Sequence, residues 1–445
     1  MPISVNRRDF LTRSSLAGAT AASMWYLNPG PAAASVSSLE KLNIAAIGTG
    51  NRAGSNIAGC ESQNIVAVAD VDAGFLEAAG SKYTGARCYR DYRVMLEKES
   101  DRIDAVIVAT PDHTHAPAAA MALRMGKHTY CEKPLTHTVY EARVLANLAA
   151  ENNLVTQMGT QIHAGDNYRR VVELIQSGTI GPVREVHVWK DVDYSTGRLM
   201  KRDKPAGLDW DLWLGPISRR DYVEATINGT HQTIAPFHWR WFWDYGNGGL
   251  GDFGCHFMDL AHWALDLKHP TSVAATGPAP DQDATTSGIV VKYQYPQRGD
   301  KPPVNLTWYD GPRKPDLLAK YRDKNGQPLD WRGGQLFVGE RGALISDYGT
   351  HMLLPADSSV EFQRPEPYLP SSIGHHNEWI EGIKSGGPTT CNFSYSGALT
   401  EAVLLGVVSY RSGETLDWDA ENLKVRNSPR AQHMIHKEYR KGWTL

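Results

Sequence analysis

The stretch that decides the fold is Ile44-Ala45-Ala46-Ile47-Gly48-Thr49-Gly50-Asn51-Arg52-Ala53-Gly54. Its apolar start predicts a buried strand, and a glycine pattern of the form G-x-G-x-x-A follows directly. Gly48 suits the backbone angles of a tight turn, and Gly50 lets a pyrophosphate approach the main chain. The N-terminus of the following helix attracts phosphates through its free N–H groups and its dipole. The stretch therefore predicts the first strand, turn and helix of a dinucleotide-binding domain.

Short apolar runs alternate with amphipathic stretches from Leu42 to Met158. The runs have the length and composition of buried parallel strands, and the stretches between them have helical periodicity. We predict strands at Asn43–Ile47, Ile65–Ala69, Ala105–Ala109, Thr129–Cys131 and Leu154–Met158. We predict helices at Phe75–Tyr83, Tyr92–Lys98, Pro117–Met125 and Val139–Glu151. This alternation predicts a doubly wound, parallel Rossmann sheet.

The pattern changes after Gly159, where long connections rich in Pro, Gly and Trp separate the predicted elements. Strand-like runs are Val183–Trp189, Ile289–Tyr295, Val304–Tyr309, Gln335–Val338 and Ala343–Asp347. Helices are predicted at Tyr168–Gln176, His376–Ile383 and Ser396–Tyr410. We therefore predict an α/β protein whose second domain is α+β with a mainly antiparallel sheet. The predicted boundaries are 35–160 for the Rossmann domain and 161–445 for the second domain.

Residues 1–34 are predicted to be a targeting segment. Asn6-Arg7-Arg8-Asp9-Phe10-Leu11 places paired arginines before a modest apolar stretch, and Ala32-Ala33-Ala34 offers a peptidase site. This order is typical of a twin-arginine export signal, and the apolar stretch is too short and too rich in small residues to span a bilayer stably. We expect a periplasmic protein without membrane contact, unless the signal is kept as an anchor.

Composition narrows the classes of partner. The formal net charge of −3 gives no basic excess that would favour nucleic acid or an anionic membrane. Five cysteines without a CxxC pair argue against a disulfide framework. Many of the 13 tryptophans and 19 tyrosines lie between Trp189 and Trp263. Such a cluster supports a carbohydrate ligand, since aromatic faces pack on sugar rings, although a packed core is the alternative.

Asp70 ends the second predicted strand, 20 residues beyond Gly50. A carboxylate at that place can accept hydrogen bonds from the adenosine ribose and would repel a 2′-phosphate. The cofactor is therefore predicted to be NAD rather than NADP. Arg52 leaves open a phosphate contact or dual specificity.

Two loops follow other predicted parallel strands, and ligands in such sheets lie beyond the carboxyl ends of the strands. The first is Thr110-Pro111-Asp112-His113-Thr114-His115, whose histidines lack the further ligands of a metal site, so no metal is predicted. The second is Cys131-Glu132-Lys133-Pro134. Lys133 in a cofactor cleft can bind a substrate hydroxyl and exchange protons with it. On composition alone a surface lysine in a proline turn is the favoured alternative.

Asp252 and His256 are four residues apart in Gly248-Gly249-Leu250-Gly251-Asp252-Phe253-Gly254-Cys255-His256, which places them on one helix face. A carboxylate beside an imidazole can orient it and raise its basicity, as a general base requires. A helix-capping aspartate with a packed histidine explains the spacing equally well.

In order along the chain, Gly48-x-Gly50, Thr110-Pro111 with His115, Glu132-Lys133-Pro134 and Asp252-x-x-x-His256 resemble the Gfo/Idh/MocA oxidoreductase family. The family takes its name from glucose–fructose oxidoreductase, inositol dehydrogenase and a rhizopine-catabolism protein. The resemblance is close from Leu42 to about Asp266 and continues at His375-His376-Asn377-Glu378-Trp379, Lys384-Ser385-Gly386 and Pro388. The segment Gly207–Pro216 is similar to exported bacterial members.

The resemblance implies a Rossmann domain followed by an open-faced antiparallel sheet that often mediates oligomers, so we expect a homodimer or homotetramer. It implies hydride transfer between nicotinamide and a carbon of a sugar, polyol or glycoside. By matched position, Lys133 would polarise or deprotonate the reacting hydroxyl, His256 would act as acid and base, and Asp252 would assist it. The expected cofactor contacts are Gly48, Gly50, Asn51, Arg52, Asp70, Thr110, Pro111, His115, Glu132 and Lys133.

An exported dehydrogenase lacks a free NAD pool, so we expect tightly bound NAD that one substrate reduces and another reoxidises. A redox-neutral NAD-dependent glycosidase or lyase is the alternative, but such glycosidases lack the pattern at Glu132–Pro134. A non-catalytic sugar-binding protein fits less well with Lys133, Asp252 and His256 all present. Substrate contacts are expected in the second domain, where a packed aromatic core is an equal alternative, and the candidates are His163, His238, Arg240, Trp241 and Tyr245.

Overall fold

The computed structural model describes residues 40–355 and 360–445, so the predicted export signal lies outside the described residues. The first domain is a six-stranded sheet in the order β3-β2-β1-β4-β5-β6, with every neighbouring pair parallel. Its strands are β1 Asn43–Ile47, β2 Asn64–Ala69, β3 Arg87–Tyr89, β4 Ala105–Val108, β5 His128–Cys131 and β6 Thr156–Met158. Its helices are α1 Arg52–Ala58, α2 Ala73–Lys82, α3 Tyr92–Glu99, α4 His115–Arg124 and α5 Val139–Glu151.

The strand order reverses between β1 and β4, and ligands bind at such a switch point, beyond the carboxyl ends of the strands. Alternate residues of the buried strands pack on opposite sides of the sheet. Ile44 and Ala46 face one apolar cluster, while Ala45 and Ile47 face another. Burial of both faces explains why these strands are continuous apolar runs rather than alternating ones.

The second domain holds a nine-stranded mixed sheet in the order β16-β15-β14-β7-β13-β12-β11-β17-β18. Its pairs are antiparallel except β7 with β13. A separate antiparallel sheet, β10-β9-β8, is inserted after β7. The strands of both sheets are β7 Val183–Lys190, β8 Gly197–Lys201, β9 Val223–Ile227, β10 Thr230–Gln232, β11 Ser272–Thr276, β12 Val290–Tyr295, β13 Val304–Asp310, β14 Gly333–Gly339, β15 Ala343–Ser346, β16 His351–Leu354, β17 Leu416–Asp419 and β18 Lys424–Val425.

The helices of the second domain cover one face of the large sheet and join it to the first domain. They are α6 Asp166–Gln176, α7 Trp210–Leu214, α8 Gly248–Phe257, α9 Asp259–Leu265, α10 His375–Ser385, α11 Phe393–Ser412 and α12 Pro429–Met434. Helix α11 is buried along nearly its whole length, as expected of a helix that is apolar on most sides. Helix α10 returns to the first domain, where Trp379 packs in the same cluster as Ile44 and Tyr130.

The opposite face of the large sheet is partly covered by the chain itself. Residues 311–332 cross β7, β14 and β15, and Leu318 and Leu329 pack there with Trp189 and Leu336. The indole N–H of Trp189 donates to the Trp331 carbonyl at 2.9 Å. The open-faced sheet expected from the resemblance is therefore closed over these strands, because an apolar segment buries its side chains on it.

The fold class predicted from the sequence is confirmed, with a parallel Rossmann sheet and a mainly antiparallel second sheet. The strands β8–β10 and the helix α7 were not predicted, since they lie in the segment interpreted as long connections. No helix in the described ranges is long and apolar enough to cross a membrane. All five cysteines are unpaired, and only Cys88 is exposed.

Candidate active site

The glycine turn lies at the switch point and brings the main chain of β1 close to that of β4. Gly48 has φ +86°, and a Cβ at this position would lie 2.6 Å from the carbonyl oxygen of Ala109. Only glycine combines that angle with that approach. No side chain caps the N-terminus of α1, which follows Asn51. The turn therefore presents bare backbone beside free helix N–H groups, as a pyrophosphate needs.

Asp70 stands at the carboxyl end of β2, beside the turn. Its Oδ2 accepts the Thr49 N–H at 2.8 Å and the Thr49 hydroxyl at 3.0 Å, and its Oδ1 accepts the Asp72 N–H at 2.9 Å. Burial raises the pKa of the Asp70 carboxyl, while these hydrogen bonds oppose the rise. The three donors fix the carboxylate and leave one lone pair of Oδ1 without a donor, which fits the predicted ribose contact.

His115 links two loops of the first domain and leaves no ring nitrogen free for a cofactor. Its Nδ1 lies 2.8 Å from the Pro134 carbonyl and its Nε2 lies 2.7 Å from the Thr110 carbonyl. The ring is buried, and burial lowers its pKa. The geometry therefore does not support the predicted contact of the His115 side chain with the cofactor. Thr110 and Pro111 are half-buried at the edge of the sheet and remain candidates for that contact.

Glu132 is a buried junction of hydrogen bonds. Its Oε1 accepts from Arg52 Nε at 3.2 Å, Asn56 Nδ2 at 2.9 Å and Gln161 Nε2 at 2.8 Å. Its Oε2 accepts the main-chain N–H of Lys133 at 3.2 Å. The carboxylate thus ties α1 to the loop that carries Lys133. Its side chain is engaged within the protein, so its effect on a cofactor would be exerted through Arg52 and Lys133.

The side chains of Lys133 and Asp252 form an ion pair in the cleft between the domains, each about one-eighth exposed. Lys133 Nζ donates to Asp252 Oδ1 and, at 2.8 Å, to the Asp252 carbonyl. Tyr194 donates its hydroxyl to Asp252 Oδ2 at 2.7 Å, and Arg240 Nε lies 3.4 Å from Oδ1. Burial would raise the pKa of Asp252, but these two cations and the hydrogen bonds hold it well below the usual range. Asp252 is therefore a fixed anion.

His256 lies one turn after Asp252 in α8, but no hydrogen bond between their side chains exists in the described structure. Its Nδ1 is buried without a partner. Burial, and next the charge of Lys133, hold the pKa of His256 well below its usual value, so the imidazole is neutral. The prediction that Asp252 orients His256 is corrected, because Lys133 and Tyr194 take the hydrogen-bonding positions of that carboxylate.

Asp112 is a second buried carboxyl beside this cluster, which the sequence analysis did not assign to the site. Burial raises its pKa to about 8, the positive charges of Arg240 and Lys133 oppose the rise, and the negative charge of Asp252 adds to it. Asp112 lies in the loop after β4, next to Pro111. A neutral acid at pH 7 beside an anionic one can hold a proton close to the reacting group.

Of the five predicted substrate contacts, only Arg240 reaches the ion pair. Trp241 packs on Tyr194 with ring centroids 4.2 Å apart, and His238 Nδ1 donates to the Thr233 carbonyl at 3.0 Å. His163 and Tyr245 are buried completely. The burial of His163 and Tyr245 agrees with the alternative that they are packed core residues.

His163 belongs to a buried group of potential metal ligands with Asp259 and Cys391, whose ligand atoms lie within 4.8 Å of one another. Its Nδ1 lies 2.9 Å from Asp259 Oδ1, which also accepts the Tyr395 hydroxyl at 2.7 Å. Burial raises the pKa of the Cys391 thiol well above its usual value. Hydrogen bonds account for the His163–Asp259 pair without an ion, and the absence of a metal stays a prediction.

Sequence reasoning missed Tyr194, Lys190 and Phe253 as neighbours of the ion pair. Lys190 ends β7, and Tyr194 lies in the loop just after it. Phe253 follows Asp252 in α8. The density of aromatic residues between Trp189 and Trp263 was the only signal for Tyr194 and Phe253, and Lys190 had none. It could not separate cleft residues from core residues, because both are rich in aromatic side chains.

Two models of one family match the chain. The Gfo/Idh/MocA oxidoreductase family, NAD-binding Rossmann fold, matches residues 42–160. The C-terminal alpha/beta domain of the same family matches residues 168–301. The two matches lie in the order of the two domains described above.

Inositol 2-dehydrogenase of Rubrobacter xylanophilus is 30% identical over 148 residues, which are 32% of this chain and 42% of that protein. The chain thus aligns with less than half of the length of this curated relative. GenD2 from gentamicin A biosynthesis, solved with NAD, superimposes with a TM-score of 0.57 at 19% identity, over 88% of this chain and 100% of that one. Levoglucosan dehydrogenase, solved with NADH and L-sorbose, superimposes with a TM-score of 0.56 at 16% identity, over 85% of this chain and 99% of that one. At these identities the two structures share the fold.

Proposed function

Because the chain belongs to the Gfo/Idh/MocA oxidoreductase family and carries its NAD-binding Rossmann domain, we propose that it transfers a hydride between nicotinamide and a CH–OH carbon of a sugar or polyol. The observation that carries the proposal is the Lys133–Asp252 ion pair. Lys133 follows β5, so it lies at the sheet edge that also holds Gly48 and Asp70. A polar pair in a cleft at this edge meets the requirements of a dehydrogenase site.

The residues at the sheet edge fit NAD. The helix α1 that follows the turn has no side-chain cap at its N-terminus, and Asp70 offers its Oδ1 to a ribose. The same negative charge would repel a 2′-phosphate. Arg52 is paired with Glu132 at 3.2 Å, so its guanidinium is not held ready for a 2′-phosphate. These contacts favour NAD over NADP.

NAD held at the glycine turn and beside Asp70 would supply the acceptor for the hydride of the alcohol carbon. Lys133, fixed by Asp252, donates a hydrogen bond to the alcohol oxygen and stabilises the negative charge that develops there. Neutral His256 accepts the hydroxyl proton and releases it to solvent. The products are a carbonyl compound, NADH and one proton, and the reverse direction uses the same groups.

The location and the assembly belong to the proposal as well. The segment 1–34 supports export by the twin-arginine pathway to the periplasm, and export supports tightly held NAD. A homo-oligomer built through the large sheet would have to use the part beyond residues 311–332, over β11–β13. That part exposes polar side chains such as Lys292, Gln294 and Asn305. Light scattering of the purified protein would give the subunit number.

The test is the absorbance of the purified protein near 340 nm before and after addition of sugars and polyols. We expect co-purified or tightly binding nicotinamide, and an absorbance rise with a substrate. A protein that neither carries nor binds NAD(H) would contradict the proposal. Cleavage of a glycoside without net NADH would instead identify the redox-neutral reaction.

A further inference from the structure

Three cations lie near two adjacent residues in the middle of helix α8. Lys133 and Arg240 lie against the Asp252 carboxylate, with Arg240 Nε at 3.4 Å from Oδ1. Lys133 Nζ also lies 5.8 Å from the Phe253 ring centroid, and Lys190 Nζ lies 5.5 Å from the same centroid. Lys133 is therefore the cation that contacts both residues, with Arg240 beside it at Asp252 and Lys190 beside it at Phe253.

The carboxyl groups near these cations do not balance them. Asp252 is the anionic partner that Lys133 and Arg240 share. Burial raises the pKa of Asp112 to about 8, so it is largely protonated at pH 7. Asp193 accepts the Ser195 N–H at 2.9 Å, and Asp310 accepts backbone N–H groups at 2.7 and 2.8 Å. Neither carboxyl forms an ion pair with the three cations among the described residues. Asp252 is thus the one carboxylate among the described residues that forms an ion pair with any of the three cations.

Two of the cations have donors to spare. Lys190 has no hydrogen bond and no ion pair in the part of the chain that the structure describes, only the aromatic contacts with Phe253 and Phe257. Arg240 uses Nη1 on the Phe237 carbonyl at 3.1 Å, and its Nη2 has no hydrogen-bond partner among the described residues. An unpaired cation in a partly buried place gains most from an anionic ligand.

Arg240 is held in place before any ligand arrives. Its guanidinium lies over the Phe237 and Trp239 rings, at 4.5 and 4.1 Å from their centroids. Phe237 is 45% exposed, and its ring extends the cleft wall towards solvent. A guanidinium fixed in this way loses little side-chain entropy on binding, and its planar fork matches a carboxylate.

We propose that the substrate is an acidic sugar, whose carboxylate is bound by Arg240 and Lys190 while its reacting hydroxyl faces Lys133. The inference rests on the proposed oxidoreductase function and adds the substrate class. A carboxylate accepts hydrogen bonds and donates none, which matches the ammonium group of Lys190 and the guanidinium group of Arg240, since both groups only donate. Arg240 and Lys190 are thus specificity-determining residues, distinct from the group that polarises the hydroxyl.

The first experiment compares sugars that differ only in the acid. Glucuronate with glucose, galacturonate with galactose, and mannuronate with mannose are supplied to the NAD-loaded protein, and kcat/KM is measured at 340 nm. We expect the acid of the accepted pair to be preferred by roughly 10- to 100-fold. Its kcat/KM should fall as salt rises, because salt screens the attraction. A neutral sugar or a sugar phosphate that is used as well as the acid would overturn the inference.

The second experiment uses Lys190→Met, with Lys190→Arg as the charge-conserving partner. We expect Lys190→Met to raise KM for the acid about tenfold with little change in kcat, and Lys190→Arg to restore it. The exposed Lys201, which pairs with Asp221, gives the control Lys201→Met. Equal KM values in Lys190→Met and wild type would remove Lys190 from the site.

Failure of the inference and failure of the function give different results. If neutral sugars reduce NAD better than acids, the oxidoreductase stands and the substrate class is wrong. If no pair is turned over, the same pairs are titrated into NAD-loaded protein by calorimetry, and acids that bind no tighter than neutral sugars overturn the inference. If NAD itself does not bind, the proposed function is wrong.

Discussion

The glycine turn and the Lys133–Asp252 cluster lie at one edge of the same sheet but are assembled differently. The turn comes from one short stretch, and its geometry is a property of the backbone. The cluster draws Lys133, Tyr194, Arg240 and Asp252 from four segments and is held by charges and hydrogen bonds. Because one region depends on the backbone and the other on side chains, we expect cofactor binding and catalysis to respond to different substitutions.

Lys133→Met should have the largest effect. It removes the donor to the reacting oxygen, so we expect kcat to fall by about 10³-fold, while the Kd for NAD changes little. Steady-state rates at 340 nm and fluorescence titration with NADH measure the two quantities. Lys201→Met is the control for loss of a lysine. Substantial residual activity would exclude Lys133 from the chemistry, and the Lys133–Asp252 cluster would then not be the catalytic region.

Asp70→Ala should act on the other region. Loss of the ribose acceptor is expected to raise the Kd for NAD by roughly 10- to 100-fold and to reduce the preference for NAD over NADP. Titration with both cofactors measures the change, and the exposed Asp101→Ala serves as the control. An unchanged preference would place the ribose contact elsewhere.

Tyr194→Phe should have a smaller effect, because Tyr194 acts through Asp252. Loss of the 2.7 Å hydrogen bond raises the pKa of Asp252, loosens the hold on Lys133, and should lower kcat about tenfold. Because Lys133 and Arg240 still hold the pKa of Asp252 well below its usual range, kcat should fall by a similar factor across the pH–rate profile, while NAD binding stays constant. Tyr222→Phe is a matched control, since Tyr222 hydrogen-bonds Glu224 outside the cluster. Equal profiles for the two variants would leave Tyr194 a purely structural residue.

Asp112→Asn should have the smallest effect, on the pH dependence of stability. The folded-state pKa of about 8 lies above the usual value near 3.9 for an unfolded aspartate. The stability from the retained proton is therefore present below about pH 4 and is lost as the pH rises towards 8. Between pH 5 and 8 the melting temperature should fall less in Asp112→Asn than in wild type, by about 2 °C or more. Asp101→Asn should behave as wild type.

The first domain was predictable because its signals are local. Strand β1 and helix α5 lie where the apolar runs and helical periodicity placed them, since both faces of a parallel sheet are buried and the pattern is strong. The inserted sheet β8–β10 was missed because its short strands carry mixed polar residues. The segment 311–332 also has no regular pattern, and its position on the large sheet depends on a distant apolar surface.

The candidate site divides in the same way. Spacing predicted where Gly48 and Asp70 lie, because a tight turn and the next strand end are fixed along the chain, and their contacts with the cofactor stay predictions. His115 illustrates the limit, since its place in the motif indicated a cofactor contact and its ring nitrogens face two carbonyls instead. Spacing within a helix placed Asp252 near His256. It could not show that Lys133 and Tyr194, from other segments of the chain, hydrogen-bond the Asp252 carboxylate.

By itself, the sequence determined the parallel sheet with its glycine turn and the presence of an NAD site, and it gave Lys133, Asp252 and His256 as candidates. These follow from residues close in the chain, where periodicity and backbone angles suffice. The tertiary structure decided which side chain Asp252 pairs with, which aromatic residues are core, and how Arg240 and Lys190 add positive charge to the cleft. Electrostatic contacts depend on distance in space, and the chain brings residues more than a hundred positions apart to within hydrogen-bonding distance.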